Sequence, residues 1–415
     1  MSSNRLQTVG VRLALIFGGV IFACAFMEIG ARLFLPPADA KFRNLSEHLV
    51  CAAPTGWVGR PNFEGVRTVP TQPDNPQTIR FNSRGFHDTE HLLEKPENLF
   101  RILWVGDSFS MAAQVEEPLS AHQQLENLLN ERLGSPDRKF EVVSNAVGAW
   151  GTAQQLVYYR ENGQLYQPDL VLLLFFVGND VEENLPGHAL TLDGYNCFAP
   201  YFPLCNGALD TEPWYYIPGL EPAWNSCSTA YKWVTHGLSY IQQNSYLFAQ
   251  IEPLLLSLKE RRMYGQEFGW PYGALYLPEE SEELRYGWQV TGALLKQFNR
   301  EVRANGSDFA MAIIGTQEIV WISQFNEGQL QQFYDTNPLL VDARFDQPHQ
   351  RLLAILHGQH IPVLDLQPPM IEYTTRSGVQ LYFPHDRHWT VEGNRYTAEL
   401  LAEWLIENKL VNGSK

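Results

Sequence analysis

Nucleophilic acyl transfer needs three side chains: a serine hydroxyl to attack, an imidazole to take its proton, and a carboxylate to hold the imidazole. The chain offers them in two distant places. Leu103–Phe109 reads Leu-Trp-Val-Gly-Asp-Ser-Phe, an apolar strand running into a tight turn that carries Ser108. Far downstream, Asp386-Arg387-His388-Trp389 precedes a helical segment. Asp386 and His388 are two residues apart, so in an extended or turning segment their side chains lie on one side and the acid reaches the imidazole. This reading makes Ser108 the nucleophile, His388 the base and Asp386 the acid. His385 and Asp365 are the rivals for base and acid.

Two more turns carry groups suited to the same chemistry. Val177-Gly178-Asn179-Asp180 ends an apolar run, and the Asn179 amide can donate to a developing oxyanion or close an Asx turn. The small residues of Asn145-Ala146-Val147-Gly148-Ala149-Trp150-Gly151-Thr152 let backbone N–H groups approach a substrate, although tight turns favour glycine for their own reasons.

The elements that must position these groups alternate. The pattern predicts strands at Leu99–Val105, Phe140–Val147, Leu170–Val177, Phe309–Ile314 and Ile361–Leu366. Helices are expected at Leu119–Leu133, Thr152–Gly163, Val290–Asn305, Gln350–His357 and Val391–Leu410. Leu170–Val177 is almost wholly apolar, as a central parallel strand covered on both faces must be. A strand ending in Gly106 before Ser108 exposes the hydroxyl at the carboxyl edge of such a sheet, where open α/β folds bind ligands. The expected fold class is α/β, with a domain over 99–410 and an insertion at 181–288 rich in Pro, Tyr, Trp and Gly. Its aromatics, Trp214, Tyr215, Tyr216 and Trp224, can pack or stack on sugar rings. Residues 36–98 read as a linker followed by irregular structure.

From Leu13 to Met27 no charged residue occurs, and apolar character resumes from Ile29 to Leu35 before Pro36-Pro37. A helix over 11–35 suffices to span a bilayer core of roughly 30 Å. Arg5 and Arg12 precede it, which leaves residues 1–10 as a cytoplasmic tail and exports the rest. The expected location is the inner membrane, single-pass, with the catalytic domain periplasmic. A cleaved signal peptide ending at Ala23-Cys24-Ala25 and a lipoprotein signal at Cys24 are the alternatives. The exported cysteines Cys51, Cys197, Cys205 and Cys227 permit three pairings, which the sequence leaves open; because the last three share one stretch, a bond from Cys197 to Cys205 or Cys227 suits that proximity. No Cys/His spacing suits zinc, and neither metal nor cofactor is expected. A formal charge of −16 argues against nucleic acid as a partner.

Taken together, these residues resemble the SGNH/GDSL hydrolase superfamily. Gly106-Asp107-Ser108-Phe109 is similar to its first block, the Asn145–Thr152 turn to the second, Gly178-Asn179-Asp180 to the third and Asp386-Arg387-His388 to the last. The resemblance covers about Leu99–Asp180 and Asp365–Leu410. It implies a three-layer α/β/α sandwich of flavodoxin-like type with a parallel central sheet, here preceded by one N-terminal transmembrane helix. It also implies an oxyanion hole made by the Ser108 amide, a turn amide at Gly148 or Ala149, and the Asn179 side chain. The Asp-x-His spacing, where many members have Asp-x-x-His, and the following Trp389 look more like the subgroup that includes the polysaccharide O-acetyltransferases of the alginate system. Val177 stands where a glycine is common, and the second-block glycine is out of register by about one residue.

The expected function is a serine-dependent esterase or acyl transferase working through an acyl-enzyme on an ester, such as O-acyl groups of an envelope or extracellular carbohydrate. The alternatives are an inactive carbohydrate-binding or envelope-assembly protein and a lipid esterase.

Overall fold

The computed structural model describes residues 3–34, 43–44, 48–52, 54–67, 76–186, 197–217, 225–248, 273–384 and 386–412. Its centre is a parallel sheet of five strands, β1 (Leu99–Gly106), β2 (Lys139–Ala146), β3 (Leu170–Phe176), β4 (Asp308–Ile314) and β5 (Val363–Asp365), in the spatial order β2-β1-β3-β4-β5. Parallel neighbours must be joined by crossovers, which the helices supply. Side chains alternate between two apolar layers. Ile102, Trp104, Leu172 and Leu174 pack with Leu125 and Leu129 of a helix at Ala121–Leu133 and with Ala398, Leu401 and Leu405 of another at Val391–Glu407. On the other face, Leu103, Val105, Val171 and Leu173 meet helices at Thr152–Glu161, Glu282–Ala304 and Gln347–Gly358. The sheet is thus covered on both sides, which is why its strands read as unbroken apolar runs. Chain order reverses between β1 and β3, and such a switch point opens a crevice at the carboxyl ends of the two strands.

Several boundaries differ from those expected. The helix predicted from Val290 begins at Glu282, because the Ser281 hydroxyl caps it by accepting from the Leu284 N–H at 3.0 Å. Within 36–98, where irregular structure is expected, the described residues include strands. Arg43–Asn44, Leu49–Ala52 and Gly56–Gly59 form an antiparallel sheet, and Glu64–Arg67 pairs with Gln77–Arg80. Strands of two to four residues are too short to show a period.

The disulfides also correct the pairing that proximity suits. Cys51 joins Cys197 across 146 residues, and Cys205 joins Cys227. Cys197 is buried beside Trp57 and Ala199, a tertiary neighbourhood that proximity along the chain does not disclose.

A helix, α1, runs from Ser3 to Phe34. Among the described residues no helix is long and apolar enough to cross a membrane, so the span expected over 11–35 is not shown. Arg12, Glu28 and Arg32 interrupt the apolar character of α1.

Candidate active site

Ser108 stands where β1 ends. A Cβ at Gly106 would fall 2.1 Å from the Ser110 hydroxyl and 3.1 Å from the Leu174 carbonyl on β3, so the strand leaves the sheet through a position that tolerates only glycine. The next side chain, Asp107, accepts from the Phe109 N–H at 2.9 Å and caps a one-turn helix, α2 (Ser108–Met111). Ser108 is the first residue of that turn, so its N–H has no acceptor within the helix.

The acid and base arrive on a loop closed by reciprocal backbone bonds. Phe383 donates to the His388 carbonyl at 2.8 Å, and Arg387 donates to the Phe383 carbonyl at 2.9 Å. Arg387 occupies the left-handed region at φ 68°, and its side chain pairs with Glu318 at 3.2 Å. This turn aims its two flanking side chains at one point. His388 Nδ1 lies 2.7 Å from Asp386 Oδ1 and 3.0 Å from the Asp386 carbonyl, while Nε2 lies 2.7 Å from Ser108 Oγ. An ionised carboxylate only accepts, so Nδ1 carries the proton and Nε2 accepts from the Ser108 hydroxyl. The structure therefore joins residues 108, 386 and 388 in one hydrogen-bonded chain. The rival acid Asp365 is taken up by His349 at 3.1 Å and by the Gln367 N–H at 3.0 Å. The rival base His385 lies outside the described residues.

Sequence reasoning missed two supporting side chains. The Phe109 ring packs on His388 with 4.7 Å between centroids and rests on Phe176 at 4.6 Å and Trp389 at 5.2 Å, which limits rotation of the imidazole. Trp57, in the N-terminal antiparallel sheet, donates from Nε1 to the Gly148 carbonyl at 2.8 Å, and Trp150 Nε1 donates back to the Trp57 carbonyl at 2.9 Å. An aromatic in a four-residue strand gives no sign of this in the sequence.

The turn so held lies against the serine: a Cβ at Gly148 would be 3.9 Å from Ser108 Cβ. Ala149 takes a left-handed conformation at φ 60°. Asn179 precedes a short helix, α5 (Asp180–Glu183), and its amide donates to Glu183 Oε1 at 2.9 Å. Asp180, not Asn179, closes the turn by accepting from the Phe176 N–H at 2.9 Å. Asp107, Asp180 and Glu183 are all buried. Burial pushes the Asp107 carboxyl up to about 6, partly offset by the charge of His388. Burial, reinforced by Asp107, pushes Asp180 well above the usual range and Glu183 up to about 8. Of the insertion aromatics singled out in the sequence, Trp214 and Tyr215 are buried, and Trp214 donates to Asp210 at 2.8 Å. Trp224 lies outside the described residues. No group of three His, Cys, Asp or Glu side chains suited to a metal ion occurs among the described residues.

The family described as "SGNH hydrolase-like domain, acetyltransferase AlgX" matches residues 272–415, the stretch that carries Asp386 and His388. Over that stretch the chain is similar to an SGNH hydrolase-like acetyltransferase family. Ser108 and Asn179 lie outside the matched stretch, and Ser108 meets His388 through the fold. No curated protein matches the chain. Among solved structures, the acetyl xylan esterase AlAXEase is 9% identical and aligns over 73% of this chain and 98% of its own, with a TM-score of 0.35. A two-domain esterase (CEX) active on acetylated mannans is 8% identical over 76% of this chain and 51% of its own, with a TM-score of 0.37. The lipase/acylhydrolase from Enterococcus faecalis is 10% identical over 74% of this chain and 96% of its own, with a TM-score of 0.35.

Proposed function

We propose that the chain transfers an acyl group, acetyl in the first instance, from an ester through Ser108 to water or to a carbohydrate hydroxyl outside the cytoplasmic membrane. The observation that carries this reading is the continuous hydrogen-bonded path from Ser108 Oγ through both His388 nitrogens to Asp386. Ser108 Oγ attacks the ester carbonyl as its proton passes to His388 Nε2, and Asp386 stabilises the imidazolium. The tetrahedral oxyanion is met by the Ser108 N–H, an N–H of the Gly148–Ala149 turn and the Asn179 amide. Collapse breaks the ester bond, Nε2 returns its proton to the departing alkoxide, and Ser108 holds the acyl group. An acceptor hydroxyl then attacks in the same way and releases the free serine. The acetyl group rests on the acetyltransferase named in the matched family. Location outside the membrane is supported by two disulfides, which suit an oxidising compartment, and by the exposed apolar side chains of α1, among them Leu15, Ile16, Phe22 and Phe26.

The test is covalent labelling with a fluorophosphonate. Wild type should label, Ser108→Ala should not, and His388→Ala should label far more slowly while still folded. A folded wild-type chain that does not label would instead indicate an inactive binding protein. Acyl esters of increasing chain length then separate the acetyl reading, in which activity falls with length, from a lipid esterase, in which it rises.

A further inference from the structure

The helix α6 (Thr229–Asn244), within the insertion, is amphipathic in the wrong sense for water. At 100° per residue, Ala230, Trp233, Val234, Gly237, Tyr240 and Ile241 fall within an arc of about 120°. All six are exposed, Trp233 at 75%, Tyr240 at 67%, Val234 at 52% and Ile241 at 43%. The opposite side presents Thr235 and Ser239, and these are buried, at 0% and 2%. A surface helix in water turns its apolar stripe inward. Here hydroxyls face the protein and hydrocarbon faces out. The helix is nevertheless firmly seated: Tyr231 stacks on Trp214, Lys232 pairs with Asp210 at 2.8 Å, and Cys227 just before it is in a disulfide.

The far end of α6 meets α1. Immediately after the helix, Ser245 Oγ and the N–H groups of Tyr246 and Leu247 all donate to the Glu28 carboxylate of α1, at 2.8, 2.9 and 3.0 Å. Arg32, one turn on, lies over the Tyr246 ring at 4.9 Å. Glu28 is the first charge after the apolar run of α1, the level at which a spanning helix would leave the hydrocarbon. We infer that α6 lies on the outer surface of the lipid bilayer with Trp233, Val234, Tyr240 and Ile241 dipped among the acyl chains and headgroups, latched at that depth by Glu28; the inference rests on the anchor reading of α1. Tryptophan and tyrosine favour this boundary. Because the chain carries −16, the attachment works by apolar insertion and not by attraction to anionic lipid, so it should occur on a neutral surface.

The experiment uses the full chain with Cys24→Ser, reconstituted into phosphatidylcholine vesicles, with one nitroxide at a time on Val234→Cys or Ile241→Cys. Leu15→Cys on α1 reports the anchor, and exposed Glu372→Cys reports water. Thermal melts establish that each variant folds. Power-saturation electron paramagnetic resonance then compares access by oxygen, which concentrates in lipid, with access by a water-soluble nickel chelate. The ratio at 234 and 241 should exceed that at 372 at least fivefold and approach that at 15. A ratio like that at 372 overturns the proposal, as does protection from both reagents, which would mean that protein covers the face. If 15 reads as lipid while 234 and 241 do not, the surface helix fails and the anchor stands. If only 234 and 241 read as lipid, the anchor reading fails, and with it the proposal that Glu28 latches α6 where a spanning helix leaves the hydrocarbon.

Discussion

A single proton decides whether Ser108 can be activated, and Asp386 decides where that proton sits. Replacing Asp386 with Asn turns an acceptor into a group that can offer an N–H to His388 Nδ1. The neutral ring then carries its proton on Nε2, where it can no longer accept from Ser108. Asp386→Asn should lower kcat for an activated acetyl ester on the order of 10⁴-fold with the fold intact. A loss of less than tenfold would mean that Asp386 does not orient the base. A second prediction concerns Glu183, whose Oε1 holds one N–H of Asn179 and leaves the other for an oxyanion. Burial first, and then the charge of Asp107, pushes Glu183 up to about 8, so at neutral pH it is largely protonated. Above that value it ionises, tightens its hold on Asn179 and sets a negative charge beside the developing oxyanion. Wild-type kcat should therefore fall as pH rises through about 8, and Glu183→Gln, which keeps the accepting oxygen but cannot ionise, should remove that fall. The readout is the kcat profile from pH 6 to 9.5, and identical alkaline limbs would sink the assignment.

At the scale of elements, the site is a meeting of four turns, and the Asn145–Thr152 turn is held by something outside itself. The second turn depends on Trp57, whose indole N–H secures the Gly148 carbonyl while the ring packs against Trp150, Ala149 and Cys197. Trp57→Phe keeps most of the ring and removes the donor. A neutral hydrogen bond is worth about 1 kcal/mol net, so a drop in kcat of about fivefold is expected, with KM nearly unchanged because the buried Trp57 acts only through the turn it holds. Unchanged kcat would show that the turn holds its shape unaided. This dependence also marks what could be read from the sequence. Five apolar strands, Ser108 and the Asp386–His388 pair were legible, because buried parallel strands advertise themselves as unbroken hydrocarbon and the chemistry needs particular residue types. Trp57, Phe109 and the Cys51–Cys197 link were not, since their roles arise from contacts between segments dozens of residues apart or more. The left-handed turn at Arg387 was hidden for another reason: a non-glycine residue there gives no local warning, and only the closed loop from Phe383 to His388 compels it.

Across the whole molecule, the N-terminal region is fastened to the sheet by a buried chain of charges and to the insertion by a disulfide. His91 lies 3.0 Å from Asp88 and 2.9 Å from Glu141, and Arg101 meets the other Glu141 oxygen at 2.5 Å. Asp88 also accepts from the Ser144 N–H on β2 at 2.7 Å. Burial alone would lower the His91 pKa, but its bonds to Asp88 and Glu141 outweigh burial and raise it to about 10. Against the opposing effect of burial, His122 and then His91 hold Asp88 below the usual carboxylate range, and His91 and Arg101 do the same for Glu141. The two directions act at opposite ends of the pH scale. Stability from His91 is complete below its unfolded value of about 6.5 and is lost as pH climbs to about 10, because in that window only the folded chain keeps the proton. Stability from the two carboxylates is complete above their unfolded values of about 4 and is lost as pH falls below them. The fastening is therefore strongest between about pH 4.5 and 6.5. Removing one partner of a buried pair costs about 3–5 kcal/mol, so His91→Gln should be destabilised by roughly that amount at pH 6 in urea unfolding, and the deficit should shrink steadily toward pH 10. A deficit that stays the same from pH 6 to 10 would mean that His91 serves only as packing, and that the disulfide and the apolar core hold the N-terminal region without help from charge.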